Sequence, residues 1–145
     1  MIEFFFDCSS PWTWLAFHNL QPMARELGVE VRWRPVLVGG IFNAVNPSVY
    51  EFRERGVPAK QAYLLKDLRD WARFSGLTIH FPPRVFPVNS VKAMRGCLLL
   101  EAEGKLVPFA EAVFEAYWSQ QLEISQDSVL AALCEHVGVE PQRFL

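Results

Sequence analysis

The first 38 residues write out a parallel strand–helix–strand unit, and no other stretch constrains the fold as tightly. Ile2 to Phe6 is a short, aromatic, apolar run that stops at Asp7 and Ser9-Ser10-Pro11, which reads as a buried strand running into a helix start. Ser10 stands at the N-cap and Pro11 at the first helical position, where a missing N–H leaves nothing unpaired. From Trp12 onward Leu15, Leu20, Met23, Ala24 and Leu27 recur at helical spacing, and Gly28 stands where a glycine ends a helix. Pro22 inside that pattern predicts a kink. Val29 to Val38 alternates, with Arg32 and Arg34 opposite Val31 and Trp33, and so predicts a second strand. Two strands joined by one helix run parallel.

The remainder is helical. Gly39-Gly40 to Pro58, with Asn43, Asn46 and Pro47, keeps no period and reads as an irregular connection with room for a short helix and for a binding loop. Leu64, Leu65, Leu68, Trp71, Ala72 and Ser75 form a stripe that ends at Gly76; Val91, Met94 and Leu98 form another after Asn89-Ser90. Ala110, Val113, Phe114, Tyr117 and Trp118 carry a third helix with Pro108 near its start, and Asp127 to Gly138 reads as a fourth, followed by the helix-start signal Glu140-Pro141-Gln142. The division is a single domain over 1–145, with the βαβ unit in 1–40 and a helical segment in 41–145. Two strands are few for a sheet.

Charge and cysteine usage narrow the function classes. With 14 basic and 16 acidic residues mixed along 145, the chain has neither the basic stripe of a nucleic-acid binder nor an acidic tail. Small molecules or other proteins are the expected partners. Cys8, Cys97 and Cys134 form no C-x-x-C pair, and His18, His80 and His136 have no ligand spacing, so neither a disulfide framework nor a metal site is expected. The cysteine pattern suits a reducing cytoplasm. The start lacks a basic n-region, and no run approaches the length of a bilayer span, so neither secretion nor a membrane is expected.

The chemistry sits in Phe6-Asp7-Cys8-Ser9-Ser10-Pro11-Trp12-Thr13-Trp14-Leu15-Ala16, where a strand end delivers a hydroxyl to the first turn of a helix. Unpaired N–H groups and the positive end of the helix dipole meet there. Such a place stabilises a thiolate, and a serine hydroxyl can donate a hydrogen bond to sulfur, although serine itself performs no disulfide exchange. On helix logic alone, Ser10 is an ordinary N-cap worth about 1 kcal/mol, Lys60 a solvated charge, Asn46 a turn residue before Pro47, and Cys8 a small packed residue. Trp33, Trp71 and Trp118 read as core, while Trp12 and Trp14 could wall an aromatic pocket.

The F-D-x-x-S-P-x-[ST]-[WY]-L-A order of that stretch resembles the DsbA-like, thioredoxin-fold family of 2-hydroxychromene-2-carboxylate isomerases and kappa-class glutathione transferases. The resemblance continues through Gly39-Gly40-Ile41-Phe42-Asn43, Asn46-Pro47, Lys60-Gln61-Ala62-Tyr63-Leu64, Asp67-Leu68 with Trp71, and Phe86-Pro87-Val88-Asn89-Ser90. It implies an α/β fold: a thioredoxin-like βαβ unit with a large helical insertion. It also implies glutathione as cofactor, Ser10 as the residue that activates its thiol, Pro11, Trp12, Asn46 and Lys60 around it, and Asn43 and Asn89 toward the substrate. Many relatives carry lysine where this chain has Asn43, which removes a charge that an acidic substrate would meet. Relatives continue through a V-P-containing strand pair and a terminal helix; those C-terminal strands are missing here, and with them the valine that pairs with the glutathione peptide. An open sheet edge and an uncovered apolar face would follow, calling for a partner surface or marking a shortened chain.

The function implied is a glutathione-dependent isomerase of an aromatic organic acid, in aromatic catabolism, with the cofactor as nucleophile. A kappa-class-like transferase is the alternative, and a truncated, non-catalytic binding module is the non-enzyme rival. A thiol–disulfide oxidoreductase needs a reactive cysteine where Ser10 or Thr13 stands. Family members are often dimers.

Overall fold

A computed structural model describes residues 1–46, 48 and 56–143. Strand β1 (Ile2–Phe6) leads into helix α1 (Pro11–Glu26), then strand β2 (Val31–Pro35). Among the described residues five helices follow: α2 (Val38–Val45), α3 (Pro58–Phe74), α4 (Val91–Glu101), α5 (Leu106–Trp118) and α6 (Asp127–His136), with a 3-10 turn at Pro141–Arg143. The two strands pair in parallel, from Ile2 opposite Val31 to Phe6 opposite Pro35. The Arg34 guanidinium reaches the Glu3 carboxylate across them at 2.8 Å.

The core forms where β1, α1, α4 and α5 meet. Phe4, Phe6, Phe17, Trp33 and Phe114 make one aromatic cluster, with Phe17 and Trp33 ring centres 4.3 Å apart and Phe17 and Phe114 5.4 Å apart. Helix α5 is buried nearly all round, through Phe109, Ala110, Val113, Phe114, Ala116, Tyr117 and Trp118, the mark of a helix enclosed by the rest of the domain. Helix α4 adds Ala93, Met94, Cys97 and Leu100.

Several expectations change. Strand β1 is buried on one face only, and Phe5 is 62% exposed on the other, because the helices cover a single face of this two-stranded sheet. The second strand is shorter than Val29 to Val38: it ends at Pro35, and Val38 already opens α2. That helix is the short one for which the Gly39 to Pro58 connection has room, while positions 47 and 49–55 of that connection lie outside the described residues. Helix α1 continues through Pro22, and Met23 and Leu27 of its predicted stripe face solvent. Leu98 of α4 does the same. Helix α3 buries only Leu68 and Ala72; Leu64, Leu65 and Trp71, the last 48% exposed, lie uncovered rather than in a core.

Candidate functional site

The loop from Asp7 to Ser10 is fixed before the helix begins. The buried Asp7 carboxylate accepts the Ser9 N–H at 2.9 Å through Oδ1 and the Val38 N–H at 2.9 Å through Oδ2. The second bond serves α2, whose N-cap, Leu37, has no side chain able to cap it. The Asp7 carbonyl accepts the Ser10 N–H at 3.2 Å. One residue on, the Cys8 carbonyl accepts the indole N–H of the fully buried Trp118 at 2.9 Å. The loop is thereby pinned to both α2 and α5.

Ser10 takes the N-cap position with extended backbone, φ −115° and ψ 123°. Its Oγ accepts the Thr13 N–H at 3.3 Å, and its carbonyl accepts the Trp14 N–H at 3.2 Å. Pro11 has no N–H, so Trp12 holds the one first-turn N–H that no acceptor among the described residues takes up. The Ser10 hydroxyl, partly exposed, uses its oxygen for the cap and has no acceptor for its own proton among the described residues. Two donors, the Ser10 O–H and the Trp12 N–H, are thus left at the positive end of a helix of 16 residues.

The same helix is fastened along one side to α5. Glu111 Oε1 accepts the Trp14 indole N–H at 3.1 Å and lies 3.0 Å from His18 Nδ1, while Oε2 accepts from Gln21 Nε2 at 3.2 Å. Residues 14, 18 and 21 lie on one face of an α-helix. Trp14 also stacks on Phe114, with ring centres 6.2 Å apart and planes within 4°.

The other residues singled out from sequence are less tightly gathered. Pro11 is buried and Trp12 partly exposed at the helix start. Asn43 is exposed on α2, and Asn46 at its C-cap accepts the Ser48 hydroxyl at 2.6 Å. Lys60 is exposed in the first turn of α3. Asn89 Oδ1 accepts the Val91 N–H at 3.0 Å, capping α4 where Ser90 makes no such bond. The Asp7 bond to Val38 brings the start of α2 against the Ser10 loop, and no hydrogen bond among the described residues joins Asn43, Asn46, Lys60 or Asn89 to that loop.

The cysteines do no visible work at this site. All three are free and buried. Burial first, and then the neighbouring Cys97, push the Cys8 thiol well above its ordinary value, and burial raises the Cys134 thiol. Among the described residues no group of three His, Cys, Asp or Glu is placed to hold a metal ion, and no helix is long and apolar enough to cross a membrane.

Asp7, Glu111 and Trp118 were not evident as site residues in the sequence. Their distant partners lie 31, 97 and 110 positions away; Asp7 falls inside the Phe6-Asp7-Cys8-Ser9-Ser10-Pro11 stretch, but nothing local marks its bond to Val38, and no motif announces Glu111 or Trp118.

Known proteins of this shape agree with the sequence pattern. The solved structure of a 2-hydroxychromene-2-carboxylate isomerase superposes with a TM-score of 0.78 at 28% identity, over 99% of this chain and 69% of that one. The sequence is 27% identical over 147 residues to 2-hydroxychromene-2-carboxylate isomerase of Pseudomonas putida, covering 99% of this chain and 68% of the relative. It is 25% identical over 148 residues to Glutathione S-transferase kappa 1 of Homo sapiens, covering 98% and 64%. The chain therefore spans about two thirds of the length of these relatives. The match to the family described as DSBA-like thioredoxin domain runs over residues 1–145, and the chain belongs to that family.

Proposed function

We propose that this chain carries the thiol-activating part of a glutathione-dependent isomerase of an aromatic organic acid, of the 2-hydroxychromene-2-carboxylate isomerase kind. The observation that carries the reading is the pair of unused donors at the start of α1, the Ser10 hydroxyl and the Trp12 N–H. A thiolate fits that place: a helix N-terminus favours negative charge, and both donors strengthen toward an anion. The relatives at 27% and 25% identity, an isomerase and a kappa transferase, support the same assignment.

Bound glutathione supplies the nucleophilic sulfur. Ser10 donates its hydroxyl proton as a hydrogen bond to that sulfur and holds the thiol in its ionised form near neutral pH. Pro11 fixes the backbone that aims the Trp12 N–H. Asn46 and Lys60 hold the polar ends of the tripeptide, Lys60 as the cation for a carboxylate. Asn43 and Asn89 face the organic acid, with Asn43 offering hydrogen bonds rather than a charge. Three buried free thiols suit the reducing cytoplasm this reading implies, and a homodimer goes with it.

The test is calorimetric titration of glutathione into the purified chain and into its Ser10→Ala variant. The thiolate absorbance of bound glutathione is followed with pH. Saturable binding is expected, with the bound thiol ionising at higher pH in the variant. A conjugated aromatic carboxylate is then added. Glutathione conserved at turnover indicates isomerisation, glutathione consumed indicates kappa-class-like transfer, and binding without turnover leaves a binding module. No binding by either form refutes the reading.

A further inference from the structure

A second cleft, of about 330 Å3, lies between α3, the segment 79–82 and the turn after α5. This is the lower end of the range of small-molecule sites, about 300–1,000 Å3. Ser10, Trp12, Asn43, Lys60 and Asn89 do not line it.

Its chemistry is one-sided. Leu68, 4% exposed, with Ile79 and Phe81, gives it an apolar lining, while Arg69, His80 and Gln121 supply the polar groups. Among the described residues no carboxylate lines it. Arg69 takes part in none of the ion pairs among the described residues, and the adjacent Asp70 is held instead by Lys66 and Arg73. A larger cleft near the C-terminal end of α1 has Arg25 and Glu30 lining the same space and selects no charge.

The walls are held firmly. The His80 N–H donates to the Trp118 carbonyl at 2.9 Å, and the Phe81 ring lies over the buried Trp118 indole with ring centres 6.2 Å apart and planes within 18°. Gln121 is the only non-glycine residue at positive φ among the described residues, at 57°. Bonds on either side keep it there, Gln120 N–H to the Glu115 carbonyl at 3.0 Å and Leu122 N–H to the Ala116 carbonyl at 2.8 Å. A side chain held in so sparse a backbone region beside a cleft is a feature of ligand clamps.

From an Arg69 that no described acid pairs, the His80 and Gln121 groups that line the same cleft and an apolar lining with no described carboxylate, we infer that this cleft binds a small carboxylate with a flat apolar body. Arg69 meets the carboxylate, Gln121 adds an amide donor, and Phe81 stacks on the ring.

The probe is 2-naphthoate, with neutral 2-naphthamide as control, followed by amide and side-chain NMR shifts of the whole chain without glutathione. Saturable shifts are expected at Arg69, His80 and Gln121, with naphthamide binding at least tenfold more weakly. Arg69→Gln, an exposed change that leaves the fold intact, is expected to weaken naphthoate at least about tenfold, the scale of one charge-assisted hydrogen bond. Ser10→Ala is expected to leave binding unchanged. Equal binding of naphthamide, an Arg69→Gln variant that binds as well as the parent, shifts centred on Trp12 and Thr13, or no binding at millimolar probe would each overturn the proposal. Because glutathione is absent, failure here leaves the Ser10 reading standing, and failure there leaves this one.

Discussion

Removing the Glu111 carboxylate loosens α1 from α5, and the cost can be worked from three contacts. Hydrogen bonds to a charged group contribute about 1.5–3 kcal/mol each when both partners are withdrawn from water. The Glu111 side chain is 29% exposed, and His18 and Gln21 can turn to solvent when it is lost, so their two bonds contribute little net. Trp14 cannot turn away: the residue is 2% exposed and its ring is stacked on Phe114. Its indole N–H is left without an acceptor, which costs about 1–3 kcal/mol. Glu111→Ala is therefore expected to destabilise the chain by about 1–3 kcal/mol, a sizeable part of a domain's usual stability of about 5–15 kcal/mol. Glu111→Gln keeps a carbonyl for the indole and is expected to lose about 1 kcal/mol. Urea unfolding followed by circular dichroism measures both, and Trp14→Phe closes a double-mutant cycle with an expected coupling of about 1–2 kcal/mol. An alanine variant within about 0.5 kcal/mol of the parent, or a coupling near zero, would falsify the assignment of Glu111 as the clamp.

Two further outcomes test the interior. Burial pushes the Tyr117 phenol up to about 12 in the folded chain, where the ring is 1% exposed and its hydroxyl donates to the Val85 carbonyl at 2.8 Å. An unfolded tyrosine ionises near 10, so this contribution is fully present below about pH 10 and falls by up to about 2–3 kcal/mol as pH rises to 12. Tyr117→Phe should flatten that part of the pH–stability curve, and an unchanged slope would show that the phenol is not the cause. The three cysteines should react with an aromatic disulfide reagent only as fast as the chain unfolds, given their burial and the raised Cys8 and Cys134 thiols. Rapid labelling of Cys8 in the native protein would reopen a redox role for it.

The strand–helix–strand unit was legible because its signals are local. Ser10 and Pro11 cap α1 as their order requires, and the alternation of Val31, Arg32, Trp33 and Arg34 sets one face of β2 against the aromatic cluster. Which apolar residues become core was less legible, because periodicity predicts a helix without saying what covers it. Leu64, Leu65 and Trp71 keep perfect helical spacing on α3, yet only Leu68 and Ala72 are buried. Helix α5 shows the opposite case, covered on all sides but the strip of Pro108 and Glu115, so that Ala116 and Trp118 are buried as fully as Val113.

The Ser10 site was half legible for the same reason. Its cap and its open donors follow from four consecutive residues, Ser10 to Thr13, and could be read in order. What holds that hydroxyl in place is distributed: Asp7 ties the loop to α2, Trp118 ties it to α5, and Glu111 holds the helix behind it. Each of these side chains would pass for ordinary in its own stretch of sequence. A carboxylate at a strand end, an indole late in an apolar helix and a glutamate on a helix flank carry no sign of a partner 31, 110 or 97 positions away. A serine at an N-cap is common; one whose loop is pinned from two other helices is positioned to a tolerance its own helix could not set. That tolerance is what the proposed thiolate stabilisation needs, since a donor misplaced by about 1 Å loses most of a hydrogen bond to sulfur.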